Sequence, residues 1–123
     1  SVTSFNELYR EGIECERNER YFNSTSKPHV CTIFADPIPT LAVSEYQRAY
    51  ANQIRSWATS EYITLGTDGF GRSDTREKLR EFFEIDSNHI AYNALLACGL
   101  NKEAKKFKTK YKLKLNKKNP YIR

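Results

Sequence analysis

Apolar positions along the N-terminal third of the chain recur at helical spacing. Residues 3–20 carry an apolar stripe opposite a charged face, and this pattern predicts a first helix with one buried side. The stripe is formed by Phe5, Leu8, Tyr9, Gly12 and Ile13. Residues 23–40 are rich in Pro, Ser and Thr, so we expect a long connection there, with at most a short extended piece at Val30–Phe34.

Two short β-prone runs follow this connection. We expect strands near residues 40–44 and 62–66, and a further strand ending at Val2. Between the first two, Ser44–Gln47 reads SEYQ, which is the sequence of a capping box, and predicts a helix starting there. The predicted face of that helix consists of Tyr46, Ala49, Tyr50, Gln53, Ile54 and Trp57.

The C-terminal half predicts more helices. Asp74 with Glu77 forms a second capping signature, followed by apolar positions at Leu79, Phe82 and Phe83. Ser87 is placed to cap another helix that runs to Cys98 and stops at Gly99. The lysine-rich residues 101–123 fit two patterns. Alternation indicates a strand, whereas the spacing of Ala104, Phe107 and Tyr111 indicates a helix.

Short strands alternating with helices predict an α/β domain with a mostly parallel sheet. Two or three strands do not make a well-covered sheet of this kind. The sequence also begins at Ser1 rather than Met, and we therefore expect a piece of a longer chain.

Composition places the 123 residues in one globular domain, with 39% hydrophobic and 28% charged residues. No apolar run is long enough to span a bilayer, so we expect no membrane partner and a cytoplasmic location. Cys15, Cys31 and Cys98 are far apart in sequence, and they predict reduced structural thiols. His29 and His89 are not placed to complete a metal site with them.

The net charge of +5 combines two opposite parts. Residues 100–123 carry +9, and residues 1–99 carry −4. Lysines interleaved with aromatics could bind nucleic acid through phosphate contacts and stacking. Because no recognisable nucleic-acid motif accompanies them, we expect a solvated terminal element and no nucleic-acid partner.

The candidate functional loop follows the second strand and is rich in glycine. It comprises Gly66, Asp68, Gly69, Phe70, Gly71, Arg72, Ser73 and Asp74. An anion could bind the free backbone N–H groups there, but the G-x-x-G-x-G spacing matches neither the dinucleotide fingerprint nor the P-loop. Asp68 and Asp74 would repel a phosphate, which Arg72 partly offsets, and either carboxylate can instead bond helix N–H groups. We favour a structural turn plugged by Phe70.

Thr67–Gly69, with Asn93 about two dozen residues later, approximates the GDG…N signature that binds thiamine diphosphate through Mg²⁺. Thr67 replaces the first glycine, and Asn93 falls inside a predicted helix. We therefore do not expect a metal site here.

The run LGTDGFGRSDTREKLREFFEID, residues 65–86, closely resembles the C-terminal domain of homodimeric bacterial pyruvate dehydrogenase decarboxylating subunits. The likeness extends to residues 1–17 and to Asn119–Pro120. It implies a three-layer α/β/α fold like the transketolase C-terminal domain, with a mixed sheet whose opening strands are missing here. Residues 1–123 would be a partial C-terminal domain, with 101–123 as its basic tail, helical from 101 to about 111.

The resemblance also implies a function for the full-length subunit. Such subunits convert pyruvate to CO₂ and an acetyl group, which they deliver to the lipoyl arm of the dihydrolipoyl acetyltransferase core. Thiamine diphosphate and Mg²⁺ lie between two earlier domains of a homodimer, so no catalytic, cofactor or metal residue carries over to this chain. We expect it to support the dimer and to be inactive alone. Two alternatives remain: another transketolase-like thiamine enzyme, and a free-standing regulatory or assembly module that uses residues 66–74.

Overall fold

A computed structural model describes residue 2 and residues 4–68 and 75–115. Six α-helices and two β-strands lie in these ranges, with a 3₁₀ helix at Arg55–Trp57. The helices are α1 Phe5–Phe22, α2 His29–Ile33, α3 Arg48–Asn52, α4 Arg76–Phe82, α5 Ser87–Ala97 and α6 Asn101–Lys110. The strands are β1 Thr40–Val43 and β2 Tyr62–Leu65.

The two strands pair in parallel, with Thr40 opposite Tyr62 and Val43 opposite Leu65. Both were predicted from sequence, and so was their parallel order. The strand predicted to end at Val2 is wrong, because Val2 lies outside any strand. The described sheet has two strands. The third layer of the α/β/α fold and the mixed order of the strands therefore stay predictions.

The core lies under the sheet, where α1, α2 and the connection from β1 to β2 meet. Val30, Phe34, Ile54 and Tyr62 form its buried centre, and Phe5, Leu8, Ala42, Trp57 and Ala58 pack around them. The rings of Phe34 and Tyr62 meet edge to face at 5.8 Å, a favoured aromatic geometry. Burial of these side chains anchors the first residue of β2, Tyr62, in the core.

Helix α1 confirms the first predicted helix, shifted by two residues at each end. It begins after Ser4, whose hydroxyl accepts the backbone N–H of Glu7 at 3.1 Å. Gly12 is buried because the Trp57 ring lies on it: a Cβ there would come within 2.6 Å of Trp57 Cη2. Ile13, predicted to face the core, is 41% exposed.

Helix α2 corrects the prediction of an irregular or extended segment at Val30–Phe34. It begins after Pro28, and Glu11 Oε1 accepts its first N–H, that of His29, at 2.7 Å. Val30 is fully buried and Phe34 is 5% exposed. Tertiary burial, together with a side chain from α1, therefore forms a helix where local composition indicates a loop.

The capping box at Ser44–Gln47 is also wrong. Ser44 Oγ accepts the N–H of Tyr46, two residues on, and its own N–H bonds Leu65 O as an extension of the sheet. Helix α3 begins later, at Arg48, and its buried residue is Ala51 rather than the predicted Ala49. Of the predicted face, Tyr46 is 69% exposed, whereas Ile54 is 2% exposed.

The last three helices were predicted, but two of their caps were not. Thr75 is the N-cap of α4 where Asp74 was expected, and Asp86 is the N-cap of α5 where Ser87 was expected. Gly99, at φ +76°, ends α5 as predicted. Helix α6, Asn101–Lys110, resolves the two patterns of the tail in favour of the helix.

Candidate functional site: the turn after β2

The first three residues of the glycine loop are tied to the segment that follows β1. Thr67 N–H donates to Tyr46 O at 2.9 Å, and Thr67 Oγ1 donates to Glu45 O at 2.7 Å. Because the strands are parallel, their carboxyl ends meet at this edge of the sheet. These bonds join the two chain segments just beyond that edge.

Gly66 is required by close backbone approach. It is buried, and a Cβ at this position would lie 2.6 Å from Tyr46 O and 2.9 Å from Arg48 N. Tyr46 O is held by the bond from Thr67 N–H, and Arg48 N–H is held by a bond to Asp68 Oδ1. The glycine therefore serves the packing of two protein segments against each other.

Asp68 bonds both the backbone N–H and the side chain of Arg48, the first residue of α3. Its Oδ1 accepts the backbone N–H of Arg48 at 2.8 Å, and its Oδ2 accepts Arg48 Nε at 2.7 Å. As predicted, the carboxylate bonds a helix N–H, but the helix is α3 and not the one that follows the loop. Both oxygens are thus engaged by protein donors.

The other predicted loop residues lie outside the described residues. They are Gly69, Phe70, Gly71, Arg72, Ser73 and Asp74. The plug predicted at Phe70 therefore stays a prediction, and the candidate site consists of Gly66–Asp68 with Tyr46–Arg48.

A crevice of about 640 Å³ opens next to this turn, beyond the end of β1. Arg80 of α4 crosses it and donates to Glu45 Oε1 at 2.6 Å. This hydrogen bond, together with the positive charge of Arg80, holds the pKa of Glu45 below its usual value. The crevice is lined by Val43, Ser44, Glu45, Glu77, Arg80, Glu81, Ile85, Asp86, Ser87 and Ile90. Sequence analysis missed this pairing, because the two residues are 35 positions apart and form no motif.

The described residues do not fit a diphosphate-bound Mg²⁺. Asp68 already accepts two donors from Arg48. Asn93 lies inside α5 and uses its amide to donate to His89 O at 2.9 Å. Among the residues described, no three His, Cys, Asp or Glu side chains group as metal ligands. That Thr67–Gly69 and Asn93 form no metal site stays a prediction, which the two bonds of Asp68 to Arg48 support.

The three cysteines are free thiols, with Cys15 and Cys31 partly buried and Cys98 exposed. Burial raises the pKa of Cys15, and the carboxylates of Glu11 and Glu14 raise it further. None of the described helices is both long enough and apolar enough to cross a membrane.

A parallel strand pair, a buried core beneath it and a glycine turn at its carboxyl edge define a piece of an α/β domain. The sequence profile of the transketolase-like TK C-terminal domain matches residues 1–86. The chain belongs to that family, as the resemblance in residues 65–86 indicates.

Several curated relatives are named pyruvate dehydrogenase E1 component. That of Buchnera aphidicola from Acyrthosiphon pisum is 42% identical over 99% of this chain, and that of Cupriavidus necator is 45% identical over 95%. The Escherichia coli K12 protein is 43% identical over 77% of the chain. The chain spans 14%, 14% and 11% of the length of these three relatives.

Proposed function

We propose that this chain is the C-terminal part of the decarboxylating subunit of a bacterial pyruvate dehydrogenase complex. The carrying observation is the 42–45% identity to proteins named pyruvate dehydrogenase E1 component across 95–99% of the chain. The complete subunit would decarboxylate pyruvate with thiamine diphosphate and Mg²⁺, and would pass the acetyl group to a lipoyl-bearing acetyltransferase core. It would act in the cytoplasm as a homodimer.

Within that subunit we assign this chain a structural role. The turn at Gly66–Asp68 is occupied by protein contacts: its carboxylate bonds Arg48, and its glycine fits against Tyr46 O. The sheet has two strands in the described part of the chain, and further strands of the subunit would pair with its outer edges. The chain would therefore complete a domain that supports the dimer, and would not hold the diphosphate.

The upstream coding sequence tests this assignment. We expect it to continue in frame before Ser1, with a full GDG…N thiamine signature several hundred residues earlier. Peptides from this chain should then appear in the purified decarboxylating subunit by mass spectrometry. An open reading frame that encodes these residues without any thiamine signature would refute the assignment and favour a free-standing module.

A further inference from the structure

His89 is a buried ionisable side chain that the proposed function does not use. It is 1% exposed and lies between the first turn of α5 and the segment that follows α6. Its Nδ1 is 2.7 Å from Asp86 Oδ1, and its Nε2 is 2.9 Å from the carbonyl oxygen of Lys114. Among the described residues, each ring nitrogen therefore has one close polar partner.

Both partners are acceptors. A backbone carbonyl has no proton to donate, and Asp86 Oδ1 already accepts the backbone N–H of His89 at 2.8 Å. A neutral imidazole carries one N–H, whereas the imidazolium carries two. Only the charged ring satisfies both contacts, and a buried polar group left without its bond costs free energy.

The Lys114 contact holds a short segment in place. Lys112 takes a left-handed conformation, with φ +50°, and Leu113 N–H donates back to Lys108 O at 3.0 Å. This turn ends α6 and directs the chain back toward α5. His89 then fastens the carbonyl of the next residue to the start of α5.

Charged groups near this contact come from several elements. Asp86 touches the ring directly and is itself partly buried. The strand that packs on α5, β1, has no ionisable residue, and the buried side of α6 is formed by the uncharged Ala104 and Phe107. Further charged groups line the cavities that contain Asp86 or Lys114, or follow α6: Glu45, Glu77, Lys78, Arg80, Glu81, Lys112 and Lys114. Arg80 is paired with Glu45, and the side chains of Lys112 and Lys114 are exposed. The charge in direct contact with the ring is therefore negative.

We propose that His89 is a protonation-dependent clamp. As an imidazolium it bridges Asp86 and the Lys114 carbonyl and holds residues 112–115 against α5. Loss of one proton leaves one N–H for two acceptors, so one of the two bonds must break. The clamp is therefore closed at low pH and opens as pH rises, and this holds whether or not the chain belongs to a pyruvate dehydrogenase.

Nitrogen-15 NMR of the ring, combined with amide exchange, tests the clamp on the 123-residue chain. While both His89 ring nitrogens are protonated, we expect the Leu113 amide, which donates to Lys108 O, to be protected from exchange. Once the ring is neutral, the protection factor of this amide should fall about tenfold, the loss expected for one charge-assisted hydrogen bond. A ring that is neutral throughout the pH range in which the chain is folded, or protection that does not change when the ring loses its proton, overturns the proposal.

Two variants separate the clamp from general stability. His89→Gln should lower the protection of the Leu113 amide and abolish its pH dependence. His29→Gln, at the exposed second histidine, should keep both. Asp86→Asn retains a capping side chain but removes the carboxylate, and its His89 should lose the proton at lower pH than the wild type. An Asp86→Asn protein whose His89 titrates as in the wild type contradicts the proposed ion pair, and it does so even if His89→Gln fails to fold.

Discussion

Asp68 holds Arg48 by both its backbone N–H and its guanidinium, at 2.8 and 2.7 Å. One residue comes from the turn after β2, and the other begins α3 after β1. The carboxylate thus connects the two segments that leave the carboxyl edge of the sheet. In sequence this loop looks like a phosphate-binding loop. Its described part, Gly66–Asp68, instead contacts another segment of the protein.

Removal of this carboxylate should cost stability. Asp68→Ala loses the cap and the ion pair, and we expect the free energy of unfolding to fall by about 1–2 kcal/mol. Asp68→Asn keeps an acceptor for the Arg48 N–H and should lose less. Urea unfolding followed by circular dichroism measures both. Glu7→Ala, which breaks an exposed pair with Arg10, is the control and should change stability by less than about 0.5 kcal/mol. Equal losses for Asp68→Ala and this control would contradict the proposed role.

Gly66→Ala should destabilise the chain because its methyl group would press on Tyr46 O and Arg48 N. Overpacking of this kind typically costs about 1–3 kcal/mol. Gly99→Ala is the informative comparison: among the described residues, no atom beyond the two chain neighbours lies within 4 Å of its new Cβ, and the positive φ of +76° opposes it. We expect Gly99→Ala to lower the free energy of unfolding by about 1 kcal/mol. Thermal unfolding in which Gly66→Ala behaves like the wild type would show that the turn has room for a side chain.

The sequence predicted those elements whose signals are local. Both strands and the stop at Gly99 follow from β-propensity and a left-handed glycine. The helix at Asn101–Lys110 fitted one of two local patterns and was favoured over a strand by the family resemblance. The candidate turn was predicted as structural, and Gly66 and Asp68 agree with that interpretation.

Elements that depend on distant partners were missed. Helix α2 is short and poor in local helix signals, and it forms where Val30 and Phe34 are buried and Glu11 caps its start. SEYQ has the letters of a capping box, yet Ser44 N–H is recruited by the strand ladder through Leu65 O. In each case a tertiary contact overrides a local preference, and no sequence window contains both partners.

Replacement of Tyr62 should show how much stability is lost when a buried hydrogen-bond acceptor loses its donor. Its hydroxyl donates to Ala51 O at 2.6 Å, and the side chain is 5% exposed. Tyr62→Phe leaves that carbonyl without its donor and should cost about 1–3 kcal/mol. Tyr46→Phe, on a ring 69% exposed, should cost nothing measurable in the same urea titration. No difference between the two variants would contradict the importance of this bond.

Alkaline pH should destabilise the chain partly through ionisation of Tyr62. Burial raises the pKa of Tyr62, and Arg55 only partly offsets the rise. A phenol whose pKa is raised by folding contributes stability that is complete below about pH 10 and is lost as pH rises further. Unfolding titrations above that pH should therefore show a smaller pH dependence in Tyr62→Phe than in the wild type. Identical slopes would contradict this account.

The cysteines should differ in reactivity. Cys98 is exposed, whereas Cys15 is partly buried and its pKa is raised by burial and by nearby glutamates. Less thiolate forms at Cys15 at neutral pH, so iodoacetamide should alkylate Cys98 first, and the rate at Cys15 should rise with pH. Peptide mass spectrometry over time measures both sites. Faster labelling of Cys15 at neutral pH would contradict the predicted order.

Calorimetric titration of the folded 123-residue chain with thiamine diphosphate and Mg²⁺ tests the central claim most directly. A cooperative thermal transition first establishes that the sample is folded. We predict no saturable heat, because both carboxylate oxygens of Asp68 are bonded to Arg48. Stoichiometric binding that requires Mg²⁺ would contradict the claim that this turn is structural.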